Sequence, residues 1–479
     1  MRTTKHIQLP IIVSFLLVIA FIWQFTSCAV IVAPTGGPRD SLPPVLMSAV
    51  PKDSLKGFTE KKIVFEFNEY VEVKDIQKNL IVSPYPKTIP NVEYKLRTVT
   101  VRLKDTLQPN TTYTLDFGDA IHDINEGNII KHFTYIFTTG NHFDKGTFSG
   151  RVIVAETGNV DSTLTVFLYK NREDSAVSKQ RPSYIARVDS TGHFHFRNLP
   201  ADTFALYAWK DEGAARYFGN KQIFAFADNY IVTSQETPPA PVTLYAFFEP
   251  EDTSKKYTPT SLPKTQTQKE KDKAKEDKRF KFSTSLTSGK QDILDSLRIS
   301  FESQIKTYDT SKFRFTRGDF TPIKDYTLNL DTSKKDFTLH HKWIADTPYH
   351  IILMKNFAED STGKYITKDD TVSFRTMKKE EYGSLRLRFT NLDFSKKPLL
   401  VLLQNDKIRF STPLETNQFR ARLFLPGEYV IRIVYDENKN GKWDTGSFFG
   451  TKRQPEKATT IKKKLTVKAN WDNDVDVIL

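Results

Sequence analysis

The chain of 479 residues contains a single cysteine, Cys28. No internal disulfide can form, so stability must come from packing or from a bound metal. Also missing is any long stretch with the i, i+3, i+4 apolar spacing of an amphipathic helix, which argues against a helical protein. The sequence has no Gly-x-Ser-x-Gly, no His-Glu-x-x-His and no phosphate-binding glycine loop. Its nine histidines are scattered. His340-His341 falls on a predicted strand, where neighbours point to opposite faces and do not build one ligand site. Acidic pairs such as Glu380-Glu381 are too common here to mark a glycosidase. These absences exclude the usual enzyme signatures, and the chain reads as a non-enzyme. No nucleic-acid motif accompanies the net charge of +13. Basic residues alternate with acidic ones along the predicted strands, as expected of solvated sheet faces.

What the chain has is β-forming residues and length. Its 36 Phe and 19 Tyr, with Val, Ile and Thr, recur in short runs of strict alternation, which is the pattern of half-buried strands. A length prior of about 150 residues per domain gives three or four domains. The expected fold class is all-β, a series of tandem β-sandwich domains in which two kinds of unit are each used twice, in the order A-B-linker-A-B.

The first A unit spans 43–140. It opens on Pro43-Pro44-Val45, places Ile63, Phe65 and Phe67 on one face, and continues through Val99, Val101 and Leu103 and then Tyr113, Leu115 and Phe117. It closes on Phe137-Thr138-Thr139-Gly140. The second A unit spans 280–377. Leu297, Ile299 and Phe301 repeat the first strand, Asp346-Thr347-Pro348-Tyr349 repeats Asn110-Thr111-Thr112-Tyr113, and Asp360 and Gly363 repeat Asp123 and Gly127. The first B unit spans 146–250, with Phe194 to Pro200 leading into Phe204-Ala205-Leu206-Tyr207-Ala208-Trp209. The second spans 383–479, with Leu425-Pro426-Gly427 leading into Tyr429 to Ile433. In both, an Asp follows the strand's first aromatic by seven residues, as Asp211 and Asp436. Between the halves, 251–279 mixes Lys, Glu and Asp with no apolar face. Such a segment cannot offset the entropy of folding onto a core and reads as a charged linker.

The A units resemble SbsA-type bacterial Ig-like domains. The Pro-Pro opening, Ile63 to Glu69, the Asn-Thr-Thr-Tyr strand and the Phe-Thr-Thr-Gly ending carry the likeness. It implies a spacer or binding module of a surface protein. The B units resemble prealbumin-like or carboxypeptidase-regulatory-like β-sandwiches, which implies stalk or adhesive modules.

The N-terminus adds a location. Arg2, Lys5 and His6 precede an apolar run from Ile11 to Trp23, which has the length of a signal h-region and falls short of the ~20 residues needed to span a bilayer. Phe25-Thr26-Ser27-Cys28 follows and resembles a bacterial lipobox, with Phe25 where Leu is usual. The resemblance implies removal of a signal peptide at 1–27, acylation of Cys28 with palmitate-type chains, and a tether at 28–42. Each buried CH₂ contributes ~0.8 kcal/mol, so several chains anchor a protein firmly. The combination resembles outer-membrane lipoproteins of Bacteroidetes. Acidic residues just after the cysteine would mark surface export there, and Ala29 to Pro34 has none. The periplasmic face is therefore favoured over the cell surface.

Among candidate sites, Asp436, Asn438, Asn440 and Asp444 occupy positions 1, 3, 5 and 9 of a calcium-type loop with Gly441 at position 6. Ser447 stands where an EF-hand has its bidentate Glu. The competing reading is a hairpin whose Asp and Asn side chains cap their own backbone. Asp211-Glu212-Gly213 lacks the Asn pair and should not bind. Asp123 to Asn128 reads as a turn between strands. Asp-Ser or Asp-Thr followed by a small or apolar residue recurs at Ser41, Ser54, Thr106, Ser175, Ser296 and Thr371. It resembles the O-glycosylation sequon of Bacteroidetes envelope proteins, with ordinary turn chemistry as the alternative. The function expected is a non-catalytic, lipid-anchored scaffold or binding rod, held on the membrane and meeting an envelope protein or glycan, with no nucleic acid. The alternatives are a carbohydrate- or peptidoglycan-binding lipoprotein and, further off, an envelope hydrolase.

Overall fold

The computed structural model describes residues 40–211, 222–249 and 279–479. The described chain divides into two compact units, with the boundary between residues 143 and 144. The regular secondary structure of the described part is nearly all strand, and its few helical segments are three or four residues long. The expected all-β class of tandem β-sandwiches is what the chain adopts.

In the first unit, strands Leu46–Val50, Lys62–Phe67, Thr98–Arg102 and Asn91–Lys95 form one sheet in chain-crossing order. Ile81–Ser83, Thr112–Asp116 and Thr134–Thr138 form the facing one. Alternation decides which side chains meet: Ile63, Phe65, Phe67, Val99 and Val101 of the first sheet are buried against Leu115, Tyr135 and Phe137 of the second. Phe137 stacks on Phe58 with centroids 3.9 Å apart and on Tyr113 at 5.2 Å. A two-stranded piece, Val71–Val73 with Ile121–Asp123, closes one end.

Residues 279–377 of the second unit repeat this plan. Strands Phe282–Thr284, Leu297–Phe301, Asp336–His340 and Thr327–Leu330 face Lys290–Gln291, Asp370–Thr376, Pro348–Leu353 and Phe313–Arg317. Ile305–Tyr308 with Ala358–Asp360 supplies the two-stranded piece. The sequence correspondences hold at atomic level. Asp123 and Asp360 lie at matching ends of those two pieces, and both are buried. Gly127 and Gly363 turn the following loops with φ of 78° and 85°, a region open to glycine at no steric cost.

The remaining two sandwiches share a different plan. In each, the first strand pairs parallel with the last: Gly146–Val154 with Val242–Phe248, and Gly383–Thr390 with Asp472–Ile478. Each first strand also carries a register shift against the strand that precedes the Leu-Pro step, at Gly146/Phe148 and at Gly383/Leu385. A Cβ on Gly146 would lie 2.5 Å from the Leu199 carbonyl oxygen, and one on Gly383 2.3 Å from that of Lys468. Glycine is therefore required at both positions, by the bulge partner Leu199 in the first copy and by the Lys468 carbonyl in the second. The first sandwich differs in closing into one eight-stranded sheet, because Ile223–Phe226 pairs with Val242–Phe248. In the second sandwich the alternating charges form rungs on the solvent face, Arg386 with Asp474 and Arg388 with Asp476.

Candidate functional site: the Asp436–Glu456 loop

The strand Gly427–Tyr435 runs directly into Asp436, which is buried. Its carboxylate accepts hydrogen bonds from the backbone amides of Asn440 (3.1 Å) and Gly441 (2.7 Å). Asn438 Oδ1 accepts from the Asn440 amide and Asn440 Oδ1 from the Lys442 amide, both at 3.0 Å. The side-chain amides of Asn438 and Asn440 both donate to Asp444 Oδ2. Gly441, at φ 78°, makes the sharp turn. The four residues singled out by spacing are thus brought together, and they are held by the Asx-type turn chemistry that competes with metal binding.

Spacing alone missed Glu456, which returns from the far arm of the loop. Its two carboxylate oxygens accept from the Glu437 amide (2.9 Å) and the Asp444 amide (3.0 Å). Burial, with Asp436 and Asp444 nearby, pushes the Glu456 carboxyl above its ordinary pKa despite those two donors. Among the described residues, no group of three or more His, Cys, Asp or Glu side chains is placed to hold a metal ion. At this loop the asparagine amides donate to Asp444, so any cation would need both to turn their oxygens inward.

The loop does a second thing that the sequence did not announce. Phe448, at its tip, inserts into the outer face of the first parallel-paired sandwich, with ring centroids 4.9 Å from Phe224, 5.2 Å from Phe226 and 5.5 Å from Tyr207. The Phe448 amide donates to Glu249 at 2.8 Å. Gln454 Nε2 donates to the Phe226 carbonyl at 3.0 Å and to Asp228 at 2.8 Å. Beyond Glu456 the chain continues across the same neighbour: the Ala458 amide donates to the Ala155 carbonyl at 2.8 Å and Thr460 to Thr157 at 3.0 Å. Lys457 lies 4.6 Å above the Tyr245 ring. Two sandwiches separated by a whole domain in sequence are therefore locked together by the candidate loop and the strand after it.

The other candidate positions stay apart. Asp123 accepts from the amides of Glu126 (2.6 Å), Asn128 (2.8 Å) and Gly127 (3.2 Å). Burial opposes its charge, but those donors outweigh it and hold its pKa below the usual value. Asp360 does the same with Ser303, Thr362 and Lys364, and its pKa falls to about 2. Both loops are turns, the first closed by its own amides and the second by its own amides together with Ser303 from a separate segment. His340 Nδ1 lies 2.7 Å from Ser296 Oγ and His341 Nδ1 2.7 Å from the Asp325 carbonyl, so the two rings serve different partners. Of the hydroxyls in the Asp-Ser/Thr pattern, those of Ser41, Ser54, Thr106 and Thr371 are on exposed residues, while Ser175 and Ser296 are half-buried. Cys28, Glu212-Gly213 and nearly all of the charged linker lie outside the described residues. Among the described residues, no helix is long and apolar enough to cross a membrane.

Residues 40–139 match the family of the bacterial Ig-like domain. No curated protein matches the chain. Among solved structures, the Bacillus anthracis TIE protein is 10% identical over 93% of this chain and 76% of its own, with a TM-score of 0.17. BcpA, the major pilin subunit of Bacillus cereus, is 11% identical over 70% of this chain and 98% of its own, with a TM-score of 0.16. The N-terminal part of the bacterial S-layer protein SbsC is 18% identical over 39% of this chain, and the chain spans 45% of it, with a TM-score of 0.16. Scores this low convey nothing about function. Residues 40–139 are a bacterial Ig-like domain, standing at the head of an all-β chain of sandwiches.

Proposed function

We propose that this protein is a non-catalytic, lipid-anchored scaffold of a bacterial cell envelope, held by acylated Cys28 on the periplasmic face of an outer membrane and presenting its β-sandwiches to an envelope protein or glycan. One observation carries the reading: the only cysteine of the chain follows a basic start, a short apolar run and small residues, at the single position where lipoprotein processing uses one. The bacterial Ig-like domain begins within a few residues of the tether's end. The Asp436 to Glu456 loop joins two sandwiches, as a structural joint of such a scaffold would.

The test is membrane fractionation of cells expressing the wild type and Cys28→Ala, with mass analysis of the mature N-terminus. Release of the variant from membranes and acyl mass on the wild-type terminus are expected. An intact, unmodified N-terminus on the wild type refutes the anchor.

A further inference from the structure

The joint between residues 144–249 and 383–479 is built like a contact between separate molecules. Phe448 is its anchor, buried among Phe224, Phe226 and Tyr207. Two ion pairs bridge the same sandwiches, Lys452 with Asp174 at 2.6 Å and Arg432 with Glu156 at 3.5 Å. Strand Ala458–Thr460 adds backbone bonds, from the Ala458 and Thr460 amides to the carbonyls of Ala155 and Thr157. A buried aromatic anchor, charged pairs and an added strand are the means by which proteins dock on one another.

Each sandwich has a core of its own. Phe148, Val152 and Leu206 belong to that of the first, and Leu387, Leu402 and Ile431 to a separate one in the second. The joint can therefore open without unfolding either. Twenty-nine residues, 250–278, lead from the first sandwich to the one at 279–377, a reach of at most about 100 Å. The far side of that middle sandwich has no such slack. Tyr382 is buried there, its hydroxyl donates to Asp292 at 2.6 Å and accepts from the Ile293 amide at 2.9 Å, and its carbonyl accepts from the Asn470 amide at 2.8 Å. Residues 279–479 are thus stitched into one block, which meets the first sandwich through the joint on a long tether. Even a short flexible tether gives an effective concentration of only about millimolar, and a longer one gives less. A second copy can match that. Opening bares the apolar seat of Phe224, Phe226 and Tyr207, and every copy carries the segment that fits it.

We infer that the 445–460 segment of one copy docks on residues 144–249 of a second copy, in the seat it takes within its own chain, so that copies exchange joints and associate. This adds self-association to the scaffold reading and does not depend on the lipid anchor. The chain from residue 28 onward, carrying Cys28→Ser, has no thiol. Thr157→Cys and Thr460→Cys are introduced into it separately, at positions whose backbones are bonded across the joint at 3.0 Å. The two proteins are mixed at rising concentrations up to roughly millimolar and oxidised, and the linked peptides are counted by mass spectrometry. The 157–460 heterodimer should exceed the 157–157 and 460–460 homodimers severalfold and rise with concentration. A chain carrying both substitutions should close on itself and report the joint in cis. Phe448→Ala should act with opposite sign in the two partners. In the Thr460→Cys chain it removes the docking anchor and should lower the heterodimer severalfold. In the Thr157→Cys chain it empties that chain's own seat and should raise it. An effect of equal sign in both, as misfolding would give, overturns the inference. So does a heterodimer no more abundant than the homodimers at the highest concentration while the doubly substituted chain closes. A doubly substituted chain that closes with neither oxidant nor a short bismaleimide overturns it as well, since the joint itself would then be absent.

Discussion

The Phe448 ring sits 4.9 Å from that of Phe224, although more than 200 residues separate them in sequence. Phe448 is 1% exposed, at a loop tip that a free sandwich would present to water. Truncating a buried Phe to Ala costs about 3–5 kcal/mol where the site cannot collapse. Phe448→Ala should therefore separate the unfolding of residues 383–479 from that of 144–249. Calorimetry should show the two sandwiches melting together in the wild type and in separate steps in the variant. Unchanged cooperativity would mean that the backbone contacts of Ala458 and Thr460 suffice.

Gly158 tests those backbone contacts. A Cβ there would lie 2.6 Å from the Ala458 carbonyl oxygen, and its φ of 72° already disfavours any other residue. Gly158→Ala should weaken the same joint, with backbone strain of about 1–2 kcal/mol added. Because both variants act on one contact, Gly158→Ala in the Phe448→Ala background should cost less than it does alone. Strict additivity in denaturant melts would show that the two residues serve separate contacts.

Much of the architecture is legible in alternation. Ile63, Phe65 and Phe67 and their counterparts Leu297, Ile299 and Phe301 are buried as their spacing requires. The repeat pairs Asp123 with Asp360 because each accepts the backbone amides of the turn that follows it. The joint was not legible. Residues 204–209 and 398–403 are buried on both faces, so they read as continuous apolar runs. Nothing local says that the second face is covered by another repeat. Glu456 escaped for a similar reason: its partners Glu437 and Asp444 are set by the return of a loop and not by a fixed spacing.

The paired aspartates give a pH dependence with a definite sign. Hydrogen bonds hold the Asp360 carboxylate at a pKa of about 2, below its ordinary 3.8. A depressed pKa stabilises the fold above the unfolded value, and that stability is lost as pH falls through the folded one. The sandwich at 279–377 should lose stability from about pH 4 toward pH 2. Asp360→Asn removes a charged acceptor from four donors and should cost about 2 kcal/mol near neutrality, where hydrogen bonds to charge are worth 1.5–3. It should also flatten the acid slope of the melting temperature. An identical slope in variant and wild type would assign acid lability to other groups.

Calcium is the test of the Asp436–Glu456 loop. Repulsion from the nearby Asp436 and Asp444 adds to the burial that raises the Glu456 pKa. A divalent cation would relieve that repulsion once Asn438 and Asn440 turn their oxygens inward. Because two amides must first leave Asp444, binding should be weak, in the range of about 10⁻⁴–10⁻³ M typical of extracellular modules. Millimolar calcium should raise the melting temperature of the wild type over that in chelator, and leave Asp436→Ala/Asp444→Ala unmoved. Since the same loop carries Phe448, calcium should also sharpen the joint melting of the two sandwiches. Equal melting in calcium and chelator would leave the backbone donors to Asp436 and Glu456 as all that closes the loop, and the joint would then be set by packing alone.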